Sequence, residues 1–425
     1  RIEPQQRTRP LSPASKKGLG DVHADSLMVR DLDALGITSA TVNIRFTTFM
    51  YSRPGPRRIE HVYGGEKYYF DAGYVGALDE TLRVCRDRRI AVAAIILINN
   101  AASAADPVIG PLLQHPDYTS EGNYSMPDMS AFRSVRAYAA ALDFLAGRYC
   151  RPDGHYGRIH YWIMHNEVDS GLEWTNMGPG KPVEVYMDAY VKSMRLCHNI
   201  VRRYDAHAWV MASHTHAWAV ADNPKTYATR EMLEILNDYC RAEGDFRWGL
   251  AFHCYPHSLY EPKTWLDEKA LYTDDTPIVT YKNLEVLDRW IRSPRNCYEG
   301  RLKRPLWLSE NGTNSPSYSE RDQCEQAAGF AWGWKKIAAL DGIDAHVWHN
   351  WADHEKEYGL LIGLRKLPKE GREPKEVWHV YRAAGTPHEE EAFRKYLPVI
   401  GIGDWNIIRD VPDSCNLSAT RRSAF

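Results

Sequence analysis

Seven times along this chain, a stretch with helical apolar spacing is followed by a short apolar, strand-like stretch. The pairs are Ser26 to Leu35 with Ile37 to Phe46, Asp71 to Arg89 with Ile90 to Ile98, Met129 to Tyr149 with Ile159 to Met164, and Val183 to Tyr204 with Ala208 to Ser213. They continue with Thr229 to Glu243 and Gly249 to Tyr255, Tyr281 to Arg292 and Pro305 to Ser309, and Glu320 to Leu340 and Ala345 to Trp348, before a last helix at Lys375 to Ala384. A further short strand, first in order, is expected near Lys17 to Val22. Apolar strands alternating with helices require a parallel sheet covered by helices. No Gly-x-Gly-x-x-Gly follows any strand, so the sequence support for an open dinucleotide-binding sheet is missing, and eight units favour closure.

The expected fold is therefore α/β, a (β/α)8 TIM barrel with a short N-terminal lead and a C-terminal extension. At 425 residues the chain has the length of one such barrel or of two average domains. Residues 1–20, rich in Pro, Arg, Lys and Ser, read as a linker or entry segment, and residues 21–386 as the barrel. Residues 387–425 read as an extension packed on it, because Tyr396 to Ile402 and Trp405 to Ile408 remain apolar. Two segments, 99–128 and 256–280, exceed ordinary connections and are candidate walls of a binding site.

Charge narrows the partners. Lys and Arg total 53 against 55 Asp and Glu, with no long run of one sign, so the electrostatic footprint of a nucleic-acid binder is missing. No stretch approaches the apolar length of a membrane span. The 14 Trp and 25 Tyr against 10 Phe favour aromatic rings with a polar handle, which suit core packing and also contact with the C–H faces of a sugar. Eight cysteines (85, 150, 197, 240, 254, 297, 324 and 415) form no Cys-x-x-Cys pair, and most fall in helical patterns where a reduced thiol acts as a small apolar residue. Neither a cofactor nor a metal is implied, and oligomeric state is left open. The start at Arg1 rather than Met fits removal of a leader or an upstream domain.

In a closed parallel barrel the chemistry sits at the C-terminal ends of the strands. The second strand ends in Asn43 and Arg45, the third in Asn99-Asn100, the fourth in Asn166-Glu167 and the fifth in His214-Thr215-His216, with Trp218 beyond. The sixth ends in His253-Cys254-Tyr255, the seventh in Glu310-Asn311, and the eighth in Trp348-His349-Asn350-Trp351, with Asp353 beyond. Asn-Glu closing the fourth strand, His-x-Tyr on the sixth, Glu closing the seventh and Trp on the eighth resemble the retaining glycoside hydrolases of clan A. Four further segments, Ser15 to Leu19, Asn166 to Ser170, Lys282 to Leu287 and Leu397 to Ile402, resemble a bacterial family of cellulase-like barrels catalogued as a domain of unknown function. That likeness covers almost the whole chain, and members of the family tend to carry another domain ahead of the barrel.

The resemblance implies roles. Glu167 would be the general acid and base and Glu310 the nucleophile, with about 5 Å between carboxyl groups, the separation for retention. Asn166 would hydrogen-bond the sugar 2-hydroxyl, and Tyr255 would orient Glu310 and keep it ionised. His253 shares the strand parity of Tyr255 and should point into the same mouth. One of Asn43 and Arg45 would support Glu310 or the sugar, and Trp348 or Trp351 would form a floor for ring stacking. His216, Trp218 and Asp353 are expected near the site without assigned chemistry. The substrate would be a poly- or oligosaccharide, which favours a secreted or periplasmic setting, while the cysteines leave a cytoplasmic one open. Two other readings remain: a metal-dependent barrel hydrolase using His214, His216, His253 and Asp353, and a non-catalytic carbohydrate-binding barrel. Against the metal, the His-x-His pair closes the fifth strand, whereas in the barrels compared it closes the first.

Overall fold

The computed structural model describes residues 8–409; Cys415 and the ends of both terminal segments lie outside them. Eight parallel strands close into a barrel: β1 (Lys17–Leu19), β2 (Ser39–Arg45), β6 (Ala91–Leu97), β7 (Tyr161–Met164), β8 (Trp209–His214), β9 (Trp248–Phe252), β10 (Leu306–Asn311) and β11 (Ala345–Trp348). Closure falls to β1, which pairs with both β11 and β2. β1 falls within the stretch Lys17 to Val22 where a first strand is expected, so the barrel takes in the end of the segment read as a lead. A Cβ on Gly18 would lie 2.4 Å from the Ser39 hydroxyl oxygen, so glycine lets β1 close the ring.

The barrel interior is a packed layer of Ala91, Ala93, Ile95, Leu97, Tyr161, Ile163, Met211, Ala251, Trp307, Ala345 and Val347. Below it, Leu11 packs against this cluster, and the Thr8 hydroxyl and the Arg158 guanidinium both bond the buried Asp205 carboxylate. The opposite parity of each strand meets the helices in the larger core. Helix starts follow local capping chemistry: Asp25 accepts from the Leu27 and Met28 amides ahead of Ser26–Ala34, and Ser319 accepts from the Asp322 amide ahead of Glu320–Ala339.

Between β2 and its helix Ala72–Asp87 lies a small antiparallel sheet that the alternation did not reveal: β3 (Met50–Tyr51), β4 (Arg58–Tyr63) and β5 (Glu66–Asp71), in the order β3-β5-β4. Its hairpin turns at Gly64-Gly65, both at positive φ, which is the two-glycine turn that short hairpins favour. After the last helix of the barrel, Glu376–Ala383, the chain folds back over Glu320–Ala339. Lys335 bonds Glu389, Lys336 bonds Glu285 and the Ile408 carbonyl, and Phe393 and Trp405 are buried. Among the described residues, no helix is long and apolar enough to cross a membrane.

Candidate active site

Glu167 follows β7 in a left-handed backbone conformation, φ 41° and ψ 60°. Its amide donates to the Ser213 hydroxyl at the end of β8, which fixes the turn. Tyr161 and Ile163 point into the barrel, but His165 faces the helices, bonding the Ile96 carbonyl and the Ser193 hydroxyl, so the turn after β7 and not strand alternation places Glu167. Glu310 needs a different device. Trp307 faces inward, so a regular β10 would turn Glu310 toward the helices. The register between β10 and β11 shifts between Leu308 and Asn311, and this bulge aims the Glu310 carboxylate into the mouth.

The two carboxylates and His253 meet there, each with a donor or acceptor atom within 4.8 Å of the others. His253 Nδ1 lies 2.7 Å from Glu167 Oε1, and the Tyr255 hydroxyl donates to Glu310 Oε1 at 3.2 Å. Both partners come from the end of β9, two residues apart and on the same face. Asn311 locks this edge by accepting the Cys254 amide at 2.6 Å.

The two carboxyl groups sit in unlike surroundings. Burial, then the neighbouring charge of Asp169, push the Glu167 pKa up to about 8. Burial opposes ionisation of Asp169 too, but His214 and the hydroxyl and amide of Thr215 hold its carboxylate below the ordinary range. Burial also lowers the pKa of His253, so the proton of the Glu167–His253 pair resides on the carboxyl group and Nδ1 accepts it. On the other side, burial opposes charge on His349, yet Glu310 and the hydrogen-bonded Glu357 outweigh it and raise its pKa to about 9. His349 Nε2 lies 3.4 Å from Glu357 Oε1, and its amide donates to the Asn311 carbonyl, so the ring stands beside Glu310 from the neighbouring strand. Asp169, Ser213, His349 and Glu357 received no role from the sequence. His349 was visible at a strand end, whereas Glu357 reaches the site only through the fold of its loop.

Other candidates fall at varied distances from this centre. The Asn166 amide has no hydrogen-bond partner among the described residues, which leaves it free for a ligand. Asn43 bonds Asp21 at 3.2 Å. Arg45 is desolvated, but the hydroxyl of Tyr124 and the charge of Asp21 still raise its pKa, so it belongs to the β2 edge of the mouth. His216 pairs with Asp222 at 3.5 Å and feels the charge of Glu167.

Four candidates lie elsewhere. Trp348 has the outward parity; its fully buried ring packs on Phe330 and Tyr381 and its indole N–H donates to the Ile362 carbonyl, so it offers no floor to a ligand. Trp218 is buried against Phe252 and Trp290. Asp353 forms a fully buried ion pair with Lys375, 3.4 Å apart, and accepts the Tyr318 hydroxyl, which makes it a lock for the loop after β11. Trp351 donates to Asp31, which Arg365 also grips with two bonds, and so ties that loop to the helix Ser26–Ala34. The metal quartet is not assembled: His214 faces Asp169, His216 faces Asp222 and Asp353 faces Lys375.

Solved structures similar to this chain include glycoside hydrolases of clan A type. A family 39 glycoside hydrolase from the gut symbiont Bacteroides cellulosilyticus WH2 aligns at TM-score 0.54 and 15% identity, covering 90% of this chain and 64% of that one. A glucosidase from Croceicoccus marinus aligns at TM-score 0.53 and 12% identity over 89% of this chain and 69% of that one. A GH5_18 protein from Bifidobacterium longum subsp. infantis aligns at TM-score 0.53 and 11% identity, over 91% and 79%. At these identities the likeness establishes the fold. No curated protein matches the sequence. The chain belongs to the family of unknown function DUF5722, whose model matches residues 9–408.

Proposed function

We propose that this protein is a retaining glycoside hydrolase that cleaves a glycosidic bond in a poly- or oligosaccharide. One observation carries the reading: oxygens of two carboxyl groups at the ends of β7 and β10 approach within 4.8 Å, and burial raises the proton affinity of one of them. So close an approach favours the ~5–5.5 Å carboxyl separation of retaining enzymes over the ~6.5 Å or more that an inverting enzyme needs for its water. Glu167, protonated, delivers its proton to the glycosidic oxygen as Glu310 attacks the anomeric carbon. The bond to the leaving sugar breaks and a glycosyl ester forms on Glu310. Glu167, now a carboxylate, takes a proton from a water that attacks the same carbon, and the ester opens with the original anomeric configuration. Tyr255 donates to Glu310 and charged His349 stands beside it, and Asn166 is free to bond the sugar. No step calls for a cofactor.

The test is hydrolysis of a glycan panel by the wild type and by the Glu310→Ala variant, with proton NMR of the first-formed anomer. The expected result is retention in the wild type and loss of several orders of magnitude in the variant. Near-native turnover by the variant, or an inverted first product, overturns the reading. Glycan binding without turnover in the wild type favours a carbohydrate-binding barrel instead.

A further inference from the structure

Two aromatic pairs stand on loops that follow the barrel strands, one after β6 and β7 and one after β9 and β11. On the β6–β7 side, Tyr124 and Trp174 lie with ring centroids 6.1 Å apart, both partly exposed. Their loops are stitched by backbone hydrogen bonds from the Asn123 amide to the Glu173 carbonyl and from the Asn176 amide to the Tyr124 carbonyl. On the β9–β11 side, Tyr260 and Tyr358 are 57% and 70% exposed, and the Tyr260 hydroxyl donates to the Tyr358 carbonyl at 3.0 Å. Asn314, from the loop after β10, donates to the Tyr260 carbonyl and accepts the Leu361 amide, so three loops form one rigid edge. Tyr358 adopts φ 52°, a backbone region that bulky residues seldom occupy, and adjoins Glu357, the partner of His349.

Large aromatic rings held out of the core cost hydration free energy, and such fixed apolar faces beside a polar cleft suit the C–H faces of sugar rings. Glu167 belongs to the first rim's pair of strands and Glu310 to the second, so the scissile bond lies between the two rims. On the reading proposed above, we infer that a neutral glycan chain lies across the mouth with sugar units on both rims, and that the enzyme cuts such chains internally. A site that removed single terminal sugars would need one closed side, where here both sides present aromatic surface.

The experiment compares viscosity loss with reducing-end release on soluble polysaccharides (hydroxyethyl cellulose, xylan, galactomannan and arabinogalactan), followed by kcat/KM on oligosaccharides of increasing length. The wild type is expected to lower viscosity ahead of reducing-end release. Its kcat/KM is expected to rise with chain length, and Tyr358→Ala to flatten that rise by roughly tenfold, through KM, with Tyr358→Trp restoring it. Tyr358 is so exposed that its substitution leaves the core intact; Trp174→Ala tests the opposite rim. Viscosity falling only in proportion to reducing ends, with single sugars as product, overturns the inference and leaves the glycosidase reading standing, as does an unaltered length dependence in Tyr358→Ala. Absence of cleavage of every probe by the wild type overturns both.

Discussion

Glu167→Gln separates the acid from its charge without changing its shape, and the structure sets the size and pH dependence of the effect. Burial and Asp169 lift the Glu167 pKa from an ordinary 4.5 to about 8 in the folded chain. Below 4.5 both folded and unfolded chains are protonated at this position, and stability is intact. Between 4.5 and about 8 the unfolded chain releases the proton and the folded chain retains it, so stability falls with rising pH; above about 8 the loss is complete. At ~1.4 kcal/mol per pH unit, the total is about 5 kcal/mol. The side chain is only 14% exposed, so solvent screens little of it. Glutamine cannot ionise and carries none of this penalty. Urea unfolding of both proteins at several pH values between about 5 and 9 should therefore show the variant gaining on the wild type by several kcal/mol as pH rises, because titrating groups that do not contact Glu167 cancel in the difference. The same variant should lose ~10²–10⁴-fold in turnover on substrates with poor leaving groups. A stability difference that is flat across this range means that Glu167 does not retain its proton, and the assignment of the general acid then fails.

Three further outcomes follow from the neighbours. Tyr255→Phe removes the hydrogen bond to Glu310 and should lower kcat by ~10- to 100-fold with little change in unfolding midpoint, read by steady-state kinetics beside thermal denaturation. His349→Gln removes a cation that persists up to about pH 9, so the acidic limb of the kcat/KM profile should move to higher pH; an unmoved limb would show that His349 only fills space. Asp353→Asn leaves Lys375 buried without its counter-charge and Trp348→Ala empties a site in the core, so each should cost ~3–5 kcal/mol of stability by urea unfolding, and catalysis should suffer only as folding does.

The barrel was legible because parallel strands buried on both faces leave short apolar runs between helical patterns, and because connections in such folds follow one order. The inserted sheet at 50–71 was not, although Gly64-Gly65 between Tyr63 and Glu66 is a hairpin signal of the ordinary kind. Side-chain direction was the weaker inference, and for one physical reason. A strand apolar on both faces has no pattern that tells inside from outside, so Trp348 was assigned to the mouth, although Ala345 and Val347 face the interior and Trp348 faces the helices.

Glu310 illustrates the converse. Parity alone points it at the helices, and only the irregular register at Leu308–Asn311 brings it to Tyr255. The position of Glu310 at a strand end thus pointed to the mouth while the strand pattern argued against it, and a bulge reconciles the two. The division of labour between the carboxyl groups has a similar origin. Glu167 and Glu310 are the same residue type at equivalent strand ends. What distinguishes them is the charge each neighbour brings: Asp169, held ionised by His214 and Thr215, stands behind Glu167, and His349, held protonated with Glu357, stands beside Glu310. The negative group behind Glu167 raises its hold on a proton and the positive group stands beside Glu310, and on the proposed mechanism this contrast is what lets one carboxyl group donate while the other attacks.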